Sequence, residues 1–159
     1  MDRIYAPWRY AYLESDRSEE ECVFCALAET TEDEKRWIMR RGEYWFVVLN
    51  IYPYTNGHLM IVCNRHTENF GSLSKKELAE FMDLLLICEA GIKQAYNPNG
   101  INIGANLGRS AGAGIVGHLH VHAVPRWHGD ANFMTAVGEA RVVSEDLEQS
   151  FRKLKAAIG

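Results

Sequence analysis

Long apolar runs are missing from this chain of 159 residues; a stretch such as Leu84 to Cys88 is far too short to cross a bilayer. The opening MDRIYAPWRYAYLESD lacks the charged-then-apolar order of a secretory leader, which points to a cytoplasmic protein. Nor is there a broad basic field. Seventeen Lys and Arg stand against 21 Asp and Glu, a net charge of −4, which argues against a partner as long as a nucleic-acid polymer. Proline is scarce, at four residues, and there is no repeat, low-complexity segment or linker. Only four cysteines are present, and without an export signal they read as thiols or metal ligands rather than disulfides. What remains is a chain of one-domain size with no membrane-spanning run, and a small phosphorylated ligand, which needs only a local site, stays open.

The pattern that is present alternates strands with helices. Tyr44 to Leu49 is aromatic and β-branched, and His58 to Cys63 returns after a turn carrying Pro53 and Asn56-Gly57, so the two predict a hairpin. Ser74 to Tyr96 predicts a long helix, opened by a Ser74/Glu77 capping box and stopped by NPNG at 97–100. Ile101 to Asn106 reads as a strand, a glycine-rich loop follows, and His118 to Val124 reads as the next strand, ended by Pro125. A last helix is predicted from Ser144, with Leu147, Phe151, Leu154 and Ile158 as its apolar stripe. Hairpin-length connections favour an α+β domain on an antiparallel sheet.

Two constellations carry chemistry. In GIVGHLHVHAVPRW, His118, His120 and His122 fall on one strand face, about 6.6 Å apart for neighbours and about 13 Å for the outer pair. Metal–nitrogen bonds are about 2 Å long, so one ion cannot readily take both outer rings. A row of imidazoles can instead meet successive phosphate oxygens, with the middle ring placed to attack phosphorus and form a nucleotidyl-histidine. Separately, Cys22 and Cys25 form a C-x-x-C pair and His66 follows the second hairpin strand. That set suits half of a tetrahedral zinc site, although a redox pair has the same spacing. Cys63 and Cys88 lie on apolar faces and read as core.

HLHVHAV, together with LNIYPYTNGHLMIV and INIGANLGRSAGAGIVGH in the same order, resembles the histidine triad (HIT) superfamily of nucleotide hydrolases and transferases. WRYAYL and PRWHGDANF are most similar to its bacterial diadenosine tetraphosphate phosphorylase branch. The resemblance implies one HIT domain over 1–159, with a core at about 22–127 and a C-terminal extension over 128–159. It implies a two-layer α+β protomer with one long helix and a C-terminal helix, usually a homodimer or dimer of dimers whose sheets join. The implied reaction is cleavage of a dinucleoside polyphosphate at the α-phosphate through a histidyl-AMP intermediate, with water or phosphate as acceptor. Phosphoramidate cleavage and a nucleotide-sensing module are the alternatives.

By motif position, His120 resembles the nucleophile and His122 its phosphate-contacting neighbour. Asn50 stands where the family contacts ribose, Asn106 near the phosphate, and Leu49 and Ile51 in the base wall. Cys22, Cys25, His66 and His118 match the ligand set of zinc-bearing relatives, which implies a structural zinc. Gly114 and Ile115 replace the family's common Gln and Ser/Thr before the triad, which leaves Ser110 as the alternative hydroxyl. Trp127 and Phe133 are expected to close the pocket, pack at a dimer interface or fill core.

Overall fold

The computed structural model describes residues 22–138 and 143–159; the WRYAYL motif lies outside them. Five strands form one antiparallel sheet: β1 (Ile38–Arg41), β2 (Trp45–Leu49), β3 (Leu59–Cys63), β4 (Gly100–Gly104) and β5 (His120–Arg126), in the order β1-β2-β3-β5-β4. Helix α1 (Val23–Glu29) precedes the sheet, α2 (Lys75–Tyr96) crosses between β3 and β4, and α3 (Phe133–Val137) and α4 (Leu147–Ile158) follow β5. The α+β expectation holds.

The period-two alternation of the strands separates two faces. One face carries Trp45, Val47, Leu59, Ile61 and Ala123 and packs with Leu84, Cys88 and Ile92 of α2 and Phe151, Leu154 and Ile158 of α4. The other carries Phe46, Val48 and Val62 under Phe24 of α1. The register runs Phe46 to Val62 to His120 and Val48 to Met60 to His122, so both strand histidines project on the α1 face. The sheet is therefore a wall, with core behind it and histidines in front.

Local chemistry fixes the elements. Ser74 Oγ accepts from the Glu77 N–H at 3.3 Å while Glu77 Oε2 accepts from the Ser74 N–H at 2.7 Å, the predicted capping box at the start of α2. Gly91 lets α4 close on α2, since a Cβ there would lie 2.4 Å from Ile158 Cγ1.

Five elements have boundaries that differ from the sequence reading. The hairpin strands start one residue later, at Trp45 and Leu59. Strand β4 spans Gly100–Gly104 rather than 101–106. Strand β5 starts at His120, because the Leu119 N–H turns to the Thr67 carbonyl at 2.6 Å, and it continues through Pro125 to Arg126. Pro125 is tolerated because its carbonyl accepts from Thr55 Oγ1 at 2.9 Å, on the side where β3 has already ended, so its missing N–H costs no ladder bond. Helix α4 starts at Leu147, with Asp146 as N-cap to the Gln149 N–H at 2.7 Å.

Candidate active site and metal centre

His118 and His120 are both buried and only two residues apart, yet they present different nitrogens. His118 Nε2 lies 2.6 Å from the Cys63 carbonyl oxygen, an acceptor only, so Nε2 carries the proton and Nδ1 holds the lone pair. That Nδ1 sits 3.2 Å from Cys22 Sγ and 3.6 Å from Cys25 Sγ. His120 Nδ1 lies 2.7 Å from the His118 carbonyl oxygen, so here Nδ1 is the donor and Nε2 is the bare nitrogen.

The third ring is set by a residue the sequence reading passed over. The Tyr54 backbone N–H donates to His58 Nδ1 at 3.2 Å, and Asn50 Nδ2 lies 3.3 Å from the same atom. The proton of the neutral His58 ring is therefore on Nε2, which donates to His122 Nδ1 at 2.9 Å. His122 then keeps its own proton on Nε2. Burial is the main force lowering all these pKa values, with neighbouring histidines adding to it for His58 and His122: His58 falls to about 3, His122 to about 4, and His120 below the usual histidine range. At neutral pH the cleft thus holds one imidazole lone pair beside one imidazole N–H donor. His58 lies between Gly57 of the turn and Leu59, the first residue of β3, and nothing local in the sequence marks it as a site residue.

His120 and His122 line a cleft of about 330 Å³ with Asn50, Leu49, Ile51, Asn106, Gly114 and residues of α1. Phe24 packs over His120, ring centroids 4.9 Å apart. Leu49 is core at its far side, whereas Ile51 is exposed. Asn50 Oδ1 accepts from the Tyr52 N–H at 2.9 Å, so Asn50 shapes the turn as well as bordering the cleft. Asn106 Nδ2 donates to the Gly112 carbonyl at 3.3 Å and closes the glycine-rich loop on itself. Ser110 sits exposed in a 3-10 turn, Arg109–Ala111, and is not among the cleft residues. Trp127 packs edge-on against Tyr96, centroids 6.0 Å apart, away from the cleft lining, and Phe133 is 72% exposed on α3.

Cys22, Cys25, His66 and His118 come together, each offering a ligand atom, all within 4.8 Å of one another. His66 Nδ1 is 3.3 Å from Cys25 Sγ. A tetrahedron with bonds of about 2.0 to 2.3 Å has edges of about 3.3 to 3.8 Å, and three of the sulfur–nitrogen separations, 3.2, 3.3 and 3.6 Å, lie close to that range. Burial and the neighbouring Cys22 raise the Cys25 thiol pKa, which a bound cation would reverse. Two supports hold the candidate ligands in place. Arg41 donates to the carbonyls of Leu27, Ala28 and Thr30 at 3.0, 3.0 and 2.7 Å, capping α1 and pinning the C-x-x-C helix to β1. Arg65, next to His66, donates to Glu77 Oε1 at 2.6 Å, tying that ligand to the capping box of α2 and holding the Glu77 pKa down at about 2.

Comparison with known proteins agrees with this geometry. A HIT domain matches residues 31–129. The AP-4-A phosphorylase of Mycobacterium tuberculosis is 37% identical over 97% of this chain and 83% of its own length. A bis(5'-adenosyl)-triphosphatase of Saccharomyces cerevisiae is 31% identical over 57% of this chain and 44% of its own. Among solved structures, a Zn-bound histidine triad family protein from Mycobacterium smegmatis superposes with a TM-score of 0.69 at 28% identity, covering 87% of this chain and 93% of that one. With its histidines on the open face of a five-stranded antiparallel sheet, this chain belongs to the HIT domain family and is an enzyme of its nucleotidyl hydrolase and transferase kind.

Proposed function

We propose that the protein cleaves dinucleoside polyphosphates, diadenosine tetraphosphate foremost, at the α-phosphate through a nucleotidyl-His120 intermediate. The observation that carries this reading is the bare Nε2 of His120, created by the 2.7 Å bond from its Nδ1–H to the His118 carbonyl. In the first step Nε2 bonds to the α-phosphorus and the bond from phosphorus to the bridging oxygen breaks, so ATP leaves from diadenosine tetraphosphate. His122 Nε2–H donates to the oxygen on which charge develops, and the adjacent His58 holds that ring in the donating tautomer. In the second step an acceptor oxygen attacks the same phosphorus and His120 is released. Water yields AMP; inorganic phosphate yields ADP. Likeness to the AP-4-A phosphorylase supports phosphate as acceptor.

Asn50, Leu49 and Ile51 are the proposed ribose and base contacts, with Asn106 and Gly114 on the phosphate side. Zinc is the proposed ion at Cys22, Cys25, His66 and His118; with four protein ligands it fixes structure and supplies no open coordination position. Four cysteines with no disulfide between them, two as proposed zinc ligands, suit a cytoplasmic compartment. Strand β4 is an edge of the sheet, with Ile103 46% exposed, and is the proposed seam of a homodimer.

Product analysis with diadenosine tetraphosphate tests the reaction. ADP and ATP appearing only with inorganic phosphate is the expected result. AMP and ATP regardless of phosphate would make water the acceptor, and no products at all would overturn the substrate and favour phosphoramidates.

A further inference from the structure

Trp37 is held in the left-handed region, φ 62°, where a bulky side chain is strained and glycine would not be. Its N–H donates to the Glu34 carbonyl at 3.2 Å and its carbonyl accepts from the Leu49 N–H at 2.9 Å, so both sides of the peptide are anchored. The strand register slips immediately afterwards, between Ile38 and Arg40. Strain maintained in this way places the largest side chain at a chosen spot. That spot is the cleft, which Trp37 lines with Phe24, Leu27 and Val48. Behind it, Phe151 of α4 meets the indole edge-on, centroids 5.5 Å apart at 73°.

The position along the cleft identifies the ligand group. Ile38, Val48, Met60 and His122 form one row across four strands, so Ile38 lies about 14 Å from His122 at strand spacing. Trp37 is the next residue along, and an extended nucleotide with its phosphorus at the histidines spans a comparable length. The wall at this end is aromatic and aliphatic, with Lys35 and Arg36 as its cationic members.

The geometry points to Trp37 as a specificity-determining residue that stacks the nucleotide's aromatic base, with Phe151 of the C-terminal helix as its positioning residue. This rests on the nucleotide reading above. The C-terminal extension then takes part in substrate selection although no residue of α4 reaches the histidines.

Calorimetric titration of the full-length protein with AMP and with ribose 5-phosphate, which lacks the base, separates the two readings. Wild type is expected to prefer AMP. Trp37→Leu should weaken AMP by about 10- to 100-fold, the loss of one base–aromatic stack, and leave ribose 5-phosphate unchanged. Trp37→Phe should keep most of the preference, and Phe151→Leu should lose part of it. An unchanged ribose 5-phosphate affinity in each variant shows that the fold survived. Equal AMP binding by Trp37→Leu and wild type would overturn the inference while leaving the proposed function standing. Failure of wild type to bind either ligand would overturn the nucleotide reading, and this inference with it.

Discussion

His118 and His120 make the instructive pair. Same residue, same stretch, both buried, yet one offers Nδ1 to two sulfurs and the other keeps Nε2 free in a cleft. A backbone carbonyl decides each case: Cys63 fixes the first ring and His118 itself fixes the second. The candidate metal site therefore touches the proposed nucleophile through one residue's main chain. Holding His118 in place holds the carbonyl that orients His120.

The largest effect should come from breaking the second member of that pair. Replacing His120 by Ala is expected to cut turnover on the order of 10⁴-fold or more while nucleotide affinity stays within a few-fold, because only the attacking group is lost. Turnover and AMP titration on the same preparation check this, and matched losses in both would remove His120 from the nucleophile's role.

Breaking the first member acts on stability. Cys25→Ser is expected to abolish stoichiometric zinc, read by atomic absorption, and to lower stability by about 3 kcal/mol or more in urea unfolding. Full zinc retention in that variant would sink the four-ligand site.

A smaller effect should follow from His58, which orients the third ring. His58→Asn is expected to lower kcat by about 10- to 100-fold, as orienting partners do elsewhere. It also changes the pH response. The folded pKa values of about 3 for His58 and about 4 for His122 lie below the ordinary histidine value, so the unfolded chain binds more protons between them and about pH 6.5. The stability they contribute is present above about pH 6.5 and lost as pH falls towards 4. Denaturation midpoints across that range should fall less steeply for His58→Asn than for wild type; parallel profiles would show that the pair does not titrate as described.

The smallest effect belongs to the opposite face of the sheet. Ile61→Val should cost about 0.5–1.5 kcal/mol of stability and leave zinc content and kcat unchanged, since Ile61 packs only on the helix side. A loss of zinc there would mean that the two faces are not independent.

Much of this molecule was legible in its residues. Strict alternation set His120 and His122 on one face, the Ser74/Glu77 spacing marked the start of the long helix, and the family resemblance picked out Cys22, Cys25, His66 and His118, which do come together. Helix α1 and strand β1 were not legible. Seven residues make too short a window for helical period, and the run IMRR hides a strand behind two arginines. What secures both is Arg41 reaching the last carbonyls of α1, a contact between segments.

Chemical types and their periodicity could be read from the residues, because side-chain direction along a strand depends on backbone geometry alone. Which nitrogen of each histidine is free, that His58 stands beside His122, and that Trp37 borders the cleft came from the folded arrangement. Each of those outcomes depends on an acceptor, a donor or a ring brought in from a distant part of the chain: Cys63 to His118, His58 to His122, Phe151 to Trp37. Local pattern supplies the groups, and long-range packing assigns their protons and their neighbours.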